Sequence, residues 1–404
     1  MFSHPITNAI FRRKSGEGKP VGRLTIGKTN LRATDDRLLN DKAPRKDNNF
    51  GALRLLFASV VILSHSAEIV DGDRSRELLT NIFGTLTFGI LGVDGFFIIS
   101  GYLITKSFLS SPSLFDYAKR RVLRIYPAFI VCFCLCLLVL APLVGAGLSV
   151  FHPAALARSF VRMMLLFHPN ADGAFPGMPL PALNGSMWSI PYEFQCYILV
   201  IFLGAAGFLR GPLRYILLVA VLAAVTIFGI ADYRTSHSVF GVTIGGSRYL
   251  YLQTFPMFLA GTLFLLFQRH VVYNHALAAA AAVLLITSLF VQPLVAFALA
   301  AFGGYLIFWF ALHCPVLPIS RFTNKTDLSY GIYLYAWPIQ STIAFVTARS
   351  ISPWALSIAS LALAAGAAWV SWTFIEKPAL ALAHRKSSNL QPQLGANRPR
   401  EGVT

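Results

Sequence analysis

Ten apolar stretches, each close to the length a helix needs to cross a bilayer, follow one another along this chain. A hydrocarbon core of about 30 Å takes roughly 20 helical residues, and such stretches fall near residues 50–70, 82–105, 125–147, 186–208, 214–231, 249–268, 275–292, 293–313, 328–348 and 353–375. In hydrocarbon, backbone N–H and C=O groups must be bonded inside the protein. The expected fold is therefore an all-α integral membrane protein, a bundle of about ten transmembrane helices. Only 13% of the 404 residues are charged, about half the share in an ordinary soluble domain, which excludes a soluble globule. The seventh and eighth stretches are divided only by Gln292 and Pro293, a polar residue and a helix breaker that suit a tight helical hairpin. Merging them into one would give nine spans and reverse the C-terminus.

The 34 Lys and Arg residues against 17 Asp and Glu give a net charge of +17. In a soluble protein this excess would suggest nucleic acid; here the cations lie between apolar segments and at the ends, where membrane orientation accounts for them. With ten spans and a cytoplasmic N-terminus, 26 cations fall on the cytoplasmic side and seven on the other, and Arg54 lies within the first span. Both termini are thus expected in the cytoplasm. Residues 1–48 hold no apolar core of a signal peptide and carry 11 Lys or Arg, so they are expected to form a basic, disordered cytoplasmic arm. A membrane domain over 49–380 and a disordered cytoplasmic tail over 381–404 follow. Residues 148–185, rich in Pro and Gly, make the longest outward loop, either a lid or acceptor-recognition element or a plain connector with an interfacial helix.

The five cysteines lie in or at the ends of apolar runs, and no disulfides are expected. Cys132, Cys134 and Cys136 point about 200° apart in succession on a helix, so they cannot converge on a metal. Packing is their expected role, and no metal is expected elsewhere.

Several residues are costly to place in a membrane. Arg54 and His65 are 11 residues apart, about 16 Å along a helix and nearly in line on one face. An Arg at the centre of a spanning helix costs about 2.5–3.5 kcal/mol on insertion scales. Individually, Arg54 can snorkel to the interface and His65 can serve as an interhelical hydrogen-bonding group; together on one face they point to function. Asp94 in Gly92-Val93-Asp94-Gly95 needs a partner within the bundle. The turn Lys119-Arg120-Arg121-Val122-Leu123-Arg124-Ile125-Tyr126-Pro127 is a dense cationic cluster, suited to phosphates through guanidinium forks and equally to inward orientation. Trp188-Ser189-Ile190-Pro191-Tyr192-Glu193 brings a carboxylate to the expected outer mouth of the bundle.

Taken together these segments resemble the acyltransferase 3 family, bacterial integral-membrane enzymes that O-acylate surface carbohydrates. The resemblance rests on Arg-x10-His at Arg54 and His65, Gly-Val-Asp-x-Phe-Phe-x-x-Ser-Gly at Gly92 to Gly101, Arg-x-x-Arg-Ile-Tyr-Pro at Arg121 to Pro127 and Trp-Ser-x-x-x-Glu at Trp188 to Glu193. It continues through Ser-Tyr-Gly-Ile-Tyr-Leu at 329–334 to Glu-Lys-Pro at 376–378, covering about 48–380 in order. Two positions depart from the pattern. Phe194 stands where members often carry a second acid, and Ala336 where they often have His before Trp-Pro, which leaves His65 as the stronger base.

The resemblance implies acyl-CoA as donor, most often acetyl-CoA, reaching the enzyme from the cytoplasm. The implied acceptor is a hydroxyl of an envelope or secreted carbohydrate or lipid-linked glycan, such as lipopolysaccharide or exopolysaccharide, and the location is the bacterial inner membrane. An imidazole titrates near neutral pH and can take the hydroxyl proton. The expected catalytic set is His65, Arg54, Glu193 and Asp94. Arg54, Arg121, Arg124 and Tyr126 are expected to hold the donor, and Trp188, Ser189 and Glu193 the acceptor. A covalent acyl-His intermediate is compatible with the same residues. The competing reading is a lipid-glycan flippase or small-solute transporter, in which the same charges would act as gates or proton carriers.

Overall fold

The ten apolar segments all become helix, interrupted at places their prolines and glycines mark. The computed structural model describes residues 48–235 and 248–384. Apart from Asn48, the expected N-terminal arm lies outside the described residues, as do residues 385–404 of the expected tail. Residues 381–384, assigned to that tail, instead complete the last helix.

The helices are α1 (Phe50–Asp71), α2 (Leu78–Phe83), α3 (Phe88–Leu109), α4 (Leu114–Cys134), α5 (Pro153–Met164), α6 (Ile190–Ala205), α7 (Leu213–Thr235), α8 (Arg248–Leu266), α9 (His275–Ser288), α10 (Gln292–Ala298), α11 (Gly304–His313), α12 (Pro318–Thr323), α13 (Ser329–Val346), α14 (Pro353–Ser371) and α15 (Lys377–His384). Wider π turns continue α4 over Leu135–Leu140, join α10 to α11 over Leu299–Gly303 and join α14 to α15 over Trp372–Glu376.

Among the described residues six helices are long and apolar enough to cross a membrane: Phe50–Asp71, Phe88–Leu109, Leu114–Phe151, Gly185–Ala205, Gln292–His313 and Pro353–Ala383. Apolar helices at Leu213–Ile227, Leu250–Leu266 and His275–Ser288 are shorter, and α13, with its tyrosines, Pro338 and Gln340, is less apolar. The expected hairpin break is real: α9 stops at Ser288, Val291 is extended, and Pro293 sits in the first turn of α10, where its missing N–H costs nothing.

Small residues let the helices approach. On α3, a methyl at Gly101 would overlap the Phe258 carbonyl of α8, and one at Gly261 of α8 would overlap the Ile98 carbonyl of α3. The Thr105 and Thr262 hydroxyls lie 2.9 Å apart at the same crossing. This is the close backbone packing that small residues permit where lipid supplies no hydrophobic drive between helices. Gly92 and Gly95 of α3 likewise admit Phe57 and Val61 of α1. Asn49, fully buried, fixes the start of α1: its amide donates to the Phe310 and Pro315 carbonyls, and its Oδ1 accepts from Leu317 N–H and the Ser320 hydroxyl. The start of α1 is thereby tied to α11 and α12, which holds Arg54 beside the loop that carries Asp327.

Candidate active site

The charged end of the bundle is organised by a residue that no motif singled out. Asp327, in the loop before α13, receives Arg124 Nη2 at 2.6 Å and Arg54 Nη1 at 3.1 Å on the same carboxylate oxygen. Its other oxygen accepts from the Ser329 hydroxyl at 2.6 Å. Burial alone would raise the Asp327 carboxyl, yet Arg54, Arg124 and Ser329 together hold it well below the usual carboxylate range. A second carboxylate, Glu376, sits 3.7 Å from Arg124 Nη1. The π turn at Trp372–Glu376 carries it, and Ser371 donates to its Oε1 at 3.0 Å; such turns re-aim single side chains.

Arg124 also forms one wall of a cavity partly open to solvent, with about 640 Å³ of empty space when the open part is included. Ser100, Ser189, Glu193, Tyr330 and Tyr333 bring polar groups to it, and Val93, Phe96 and Phe97 an apolar side. Glu193 Oε1 accepts from the Tyr197 hydroxyl at 2.6 Å and from Ser100 at 3.3 Å. The Ser189 and Tyr333 hydroxyls are 2.7 Å apart.

Glu193 was expected at an outer mouth, away from the donor arginines; the structure puts it in the same cavity as Arg124. The reason lies in the approach to α6. Residues Gly185–Ser189 form a short 3₁₀ turn pressed into the bundle, where Ser186 donates to the Tyr333 carbonyl at 2.9 Å and Trp337 covers Gly185. Helix α6 therefore starts inside the protein rather than at its surface.

His65 lies towards the other end of α1, 8% exposed. Its Nδ1 is 3.1 Å from Glu68 Oε2, and Arg74 Nη2 is 3.2 Å from the same oxygen. The His65 ring meets the Trp337 indole edge-on, centroids 4.7 Å apart. Trp337 is one helical turn beyond Tyr333 on α13, so His65 stands about 6 Å past the cavity wall measured along that helix. Arg54 and His65 thus lie towards opposite ends of α1, Arg54 linked to the cavity-lining Arg124 through Asp327 and His65 packed on Trp337.

The remaining expected residues divide. Arg121 turns away from Asp327 towards Ser107 and the rings of Tyr117 and Tyr197, 5.8 and 5.7 Å from its guanidinium. Tyr126 does not line the cavity; its hydroxyl donates to the Met164 carbonyl at 2.9 Å, and its ring packs on Phe194. Asp94 is buried, with Gln253 of α8 donating to it at 3.3 Å, an interhelical contact behind the cavity-lining Val93 and Phe96. Trp188 packs against Tyr192, outside the cavity lining, whereas its neighbour Ser189 is part of it. Ala336, at the position of the late His, fills a small apolar cluster with Ala58, Ile62 and Ala364. Sequence reasoning missed Asp327, Glu68 and Trp337. Only Glu68 left a local signal, its i,i+3 spacing from His65.

A family model described as an acyltransferase domain matches residues 47–376. The chain belongs to the acyltransferase 3 family. Similar curated proteins include an O-acetyl transferase of Shigella phage Sf6, 27% identical over 85% of this chain and 99% of that protein. Nodulation protein 10 of Rhizobium leguminosarum bv. viciae is 28% identical over 85% of this chain and 96% of its own length. A shorter match, 34% identical over 28% of this chain and 20% of the other, is to O-acetyltransferase OatA of Staphylococcus aureus. No solved structure matches. With its apolar helices, this member of the acyltransferase 3 family is a multi-pass membrane protein whose chemistry is O-acyl transfer.

Proposed function

We propose that the protein transfers an acyl group, most often acetyl, from acyl-CoA to a hydroxyl of an envelope or secreted carbohydrate, in the bacterial inner membrane with both termini in the cytoplasm. The observation that carries this reading is the pair of buried His65 and half-buried Glu68, set about one helical turn beyond a cavity walled by Arg124, which shares Asp327 with Arg54. The mixed lining of that cavity, hydroxyls and rings, suits a thioester arm.

In this reading the Arg54 end faces the cytoplasm and receives the donor, with Arg54, Arg124 and the neighbouring Arg121 supplying cationic forks for its phosphates. The thioester arm lies in the cavity and directs its acyl group towards Trp337 and His65. Glu193, held by Tyr197 and Ser100, presents its carboxylate to the same space. The acceptor hydroxyl reaches His65 from the opposite side. His65 Nε2 takes the hydroxyl proton as the oxygen attacks the thioester carbonyl; the C–O bond forms, the C–S bond breaks, and the proton passes to the thiolate, leaving free CoA thiol and the ester. General base assistance of this kind contributes about 10²- to 10⁴-fold.

The test is incubation of the purified full chain with radiolabelled acetyl-CoA and candidate glycans. Label entering a glycan as base-labile ester is expected. Solute flux without ester formation would instead support a transporter.

A further inference from the structure

Helix α1 ends in a way that places one carboxylate on His65 and holds it there. Glu68 follows His65 by three residues, on the same helical face. Gly72 closes the helix in the left-handed conformation, φ +85°, with its N–H on the Glu68 carbonyl. That reversal brings Arg74 back over the helix end, where its Nη2 meets the Glu68 oxygen that also faces His65 Nδ1.

We infer that Glu68, anchored by Arg74, is the positioning residue of His65, fixing its ring and its tautomer; this rests on His65 acting as the base. A carboxylate beside Nδ1 holds the proton on that nitrogen and leaves the Nε2 lone pair for the acceptor hydroxyl. Among the described residues Nε2 has no hydrogen-bonding partner, so the ring is held through Nδ1 and through its edge-on contact with Trp337. When Nε2 takes the proton, the same carboxylate faces the new positive charge.

The other charges at this end of α1 are engaged elsewhere: Arg76 pairs with Asp71, and Arg349, just after α13, donates to the Val70 carbonyl. Helices α13 and α14 contain no Asp, Glu, Lys or Arg. On α3, Asp94 is bonded to Gln253 of α8, and Lys106 is near the far end of that helix. The polar groups that α13 and α14 bring against α1 here are Gln340, bonded to Ser66 and the Ile62 carbonyl, and Ser357, bonded to Ser66. None of these can replace a carboxylate on Nδ1.

The test uses the full chain labelled with ¹⁵N-histidine in lipid nanodiscs, the His65 signals being assigned by their loss in His65→Ala. In wild type the neutral ring is expected as the Nδ1–H form. Glu68→Gln has nearly the same shape, yet its amide can either accept from or donate to Nδ1, so a mixture of tautomers is expected. Thiol release from acetyl-CoA in native membrane vesicles is measured in parallel. Here kcat should fall roughly ten- to a hundred-fold, less than the full contribution of a base, with KM for acetyl-CoA unchanged, and Arg74→Ala should show a smaller fall of the same kind. An unchanged tautomer in Glu68→Gln, or an unchanged kcat, overturns the positioning role while leaving His65 as base. Full transfer by His65→Ala removes the base itself and the positioning role with it.

Discussion

Asp327 is the most consequential single carboxylate at the charged end, and Asp327→Asn isolates its charge. The amide keeps the shape and can still accept from Ser329, while Arg54 and Arg124 lose the anion they share. Deleting one partner of a buried ion pair costs about 3–5 kcal/mol because the other charge is stranded. Two features place this case near the lower bound: the Arg54 side chain is 27% exposed and can reach water, and Arg124 keeps Glu376 at 3.7 Å. At about 2 °C per kcal/mol for larger chains, a loss of ~3 kcal/mol corresponds to a fall of about 6 °C in the unfolding midpoint of the detergent-purified chain, read by intrinsic fluorescence. Acetyl-CoA affinity should change as well, since a shared anion would no longer hold the two guanidinium groups in place against their mutual repulsion. An unchanged midpoint and affinity would show that the junction is neither structural nor part of the donor site.

The same carboxylate sets an acid limit: a folded-state value held below the unfolded one, about 3.9, gives stability that is complete above that value and lost only as pH falls through the lower folded one. The midpoint gap between wild type and Asp327→Asn should therefore persist from neutral to mildly acidic pH and close only in strong acid. Gly101→Val should abolish folded yield, since any side chain there meets the Phe258 carbonyl; a monodisperse variant of normal stability would mean that α3 and α8 do not cross so closely. For topology, an engineered cysteine at the exposed Asn170 should react with an impermeant maleimide from outside intact cells. Labelling only after the cytoplasmic face is opened would reverse the orientation and the donor and acceptor sides with it.

The helices were legible because hydropathy and length decide them locally, and so was the alignment of Arg54 with His65, which needs only the helical repeat. Partners brought together by folding were not. Asp327 lies 203 residues from Arg124 in the chain, and nothing in its neighbourhood marks it as the acceptor for two arginines. Glu376 was visible as part of a motif, but its reach to Arg124 depends on the π turn that aims it. Glu193 was misplaced because an apolar run shows that a helix exists, not where a preceding 3₁₀ turn makes it begin. Tyr126 illustrates the opposite error: sequence proximity to Arg124 suggested a shared role, whereas two residues along a helix turn a side chain by about 200°, here towards Met164. Glu68 was within reach of sequence reasoning through its spacing from His65, although Arg74 required knowledge of the glycine turn between them.

The most direct measurement is acyl transfer by His65→Ala, normalised to monodisperse protein, alongside its acetyl-CoA affinity by calorimetry. A base positioned beyond the donor cavity predicts normal affinity with transfer reduced by about 10²-fold or more. Near wild-type transfer by the folded variant would contradict the assignment of His65 and move the search for the base to Glu193.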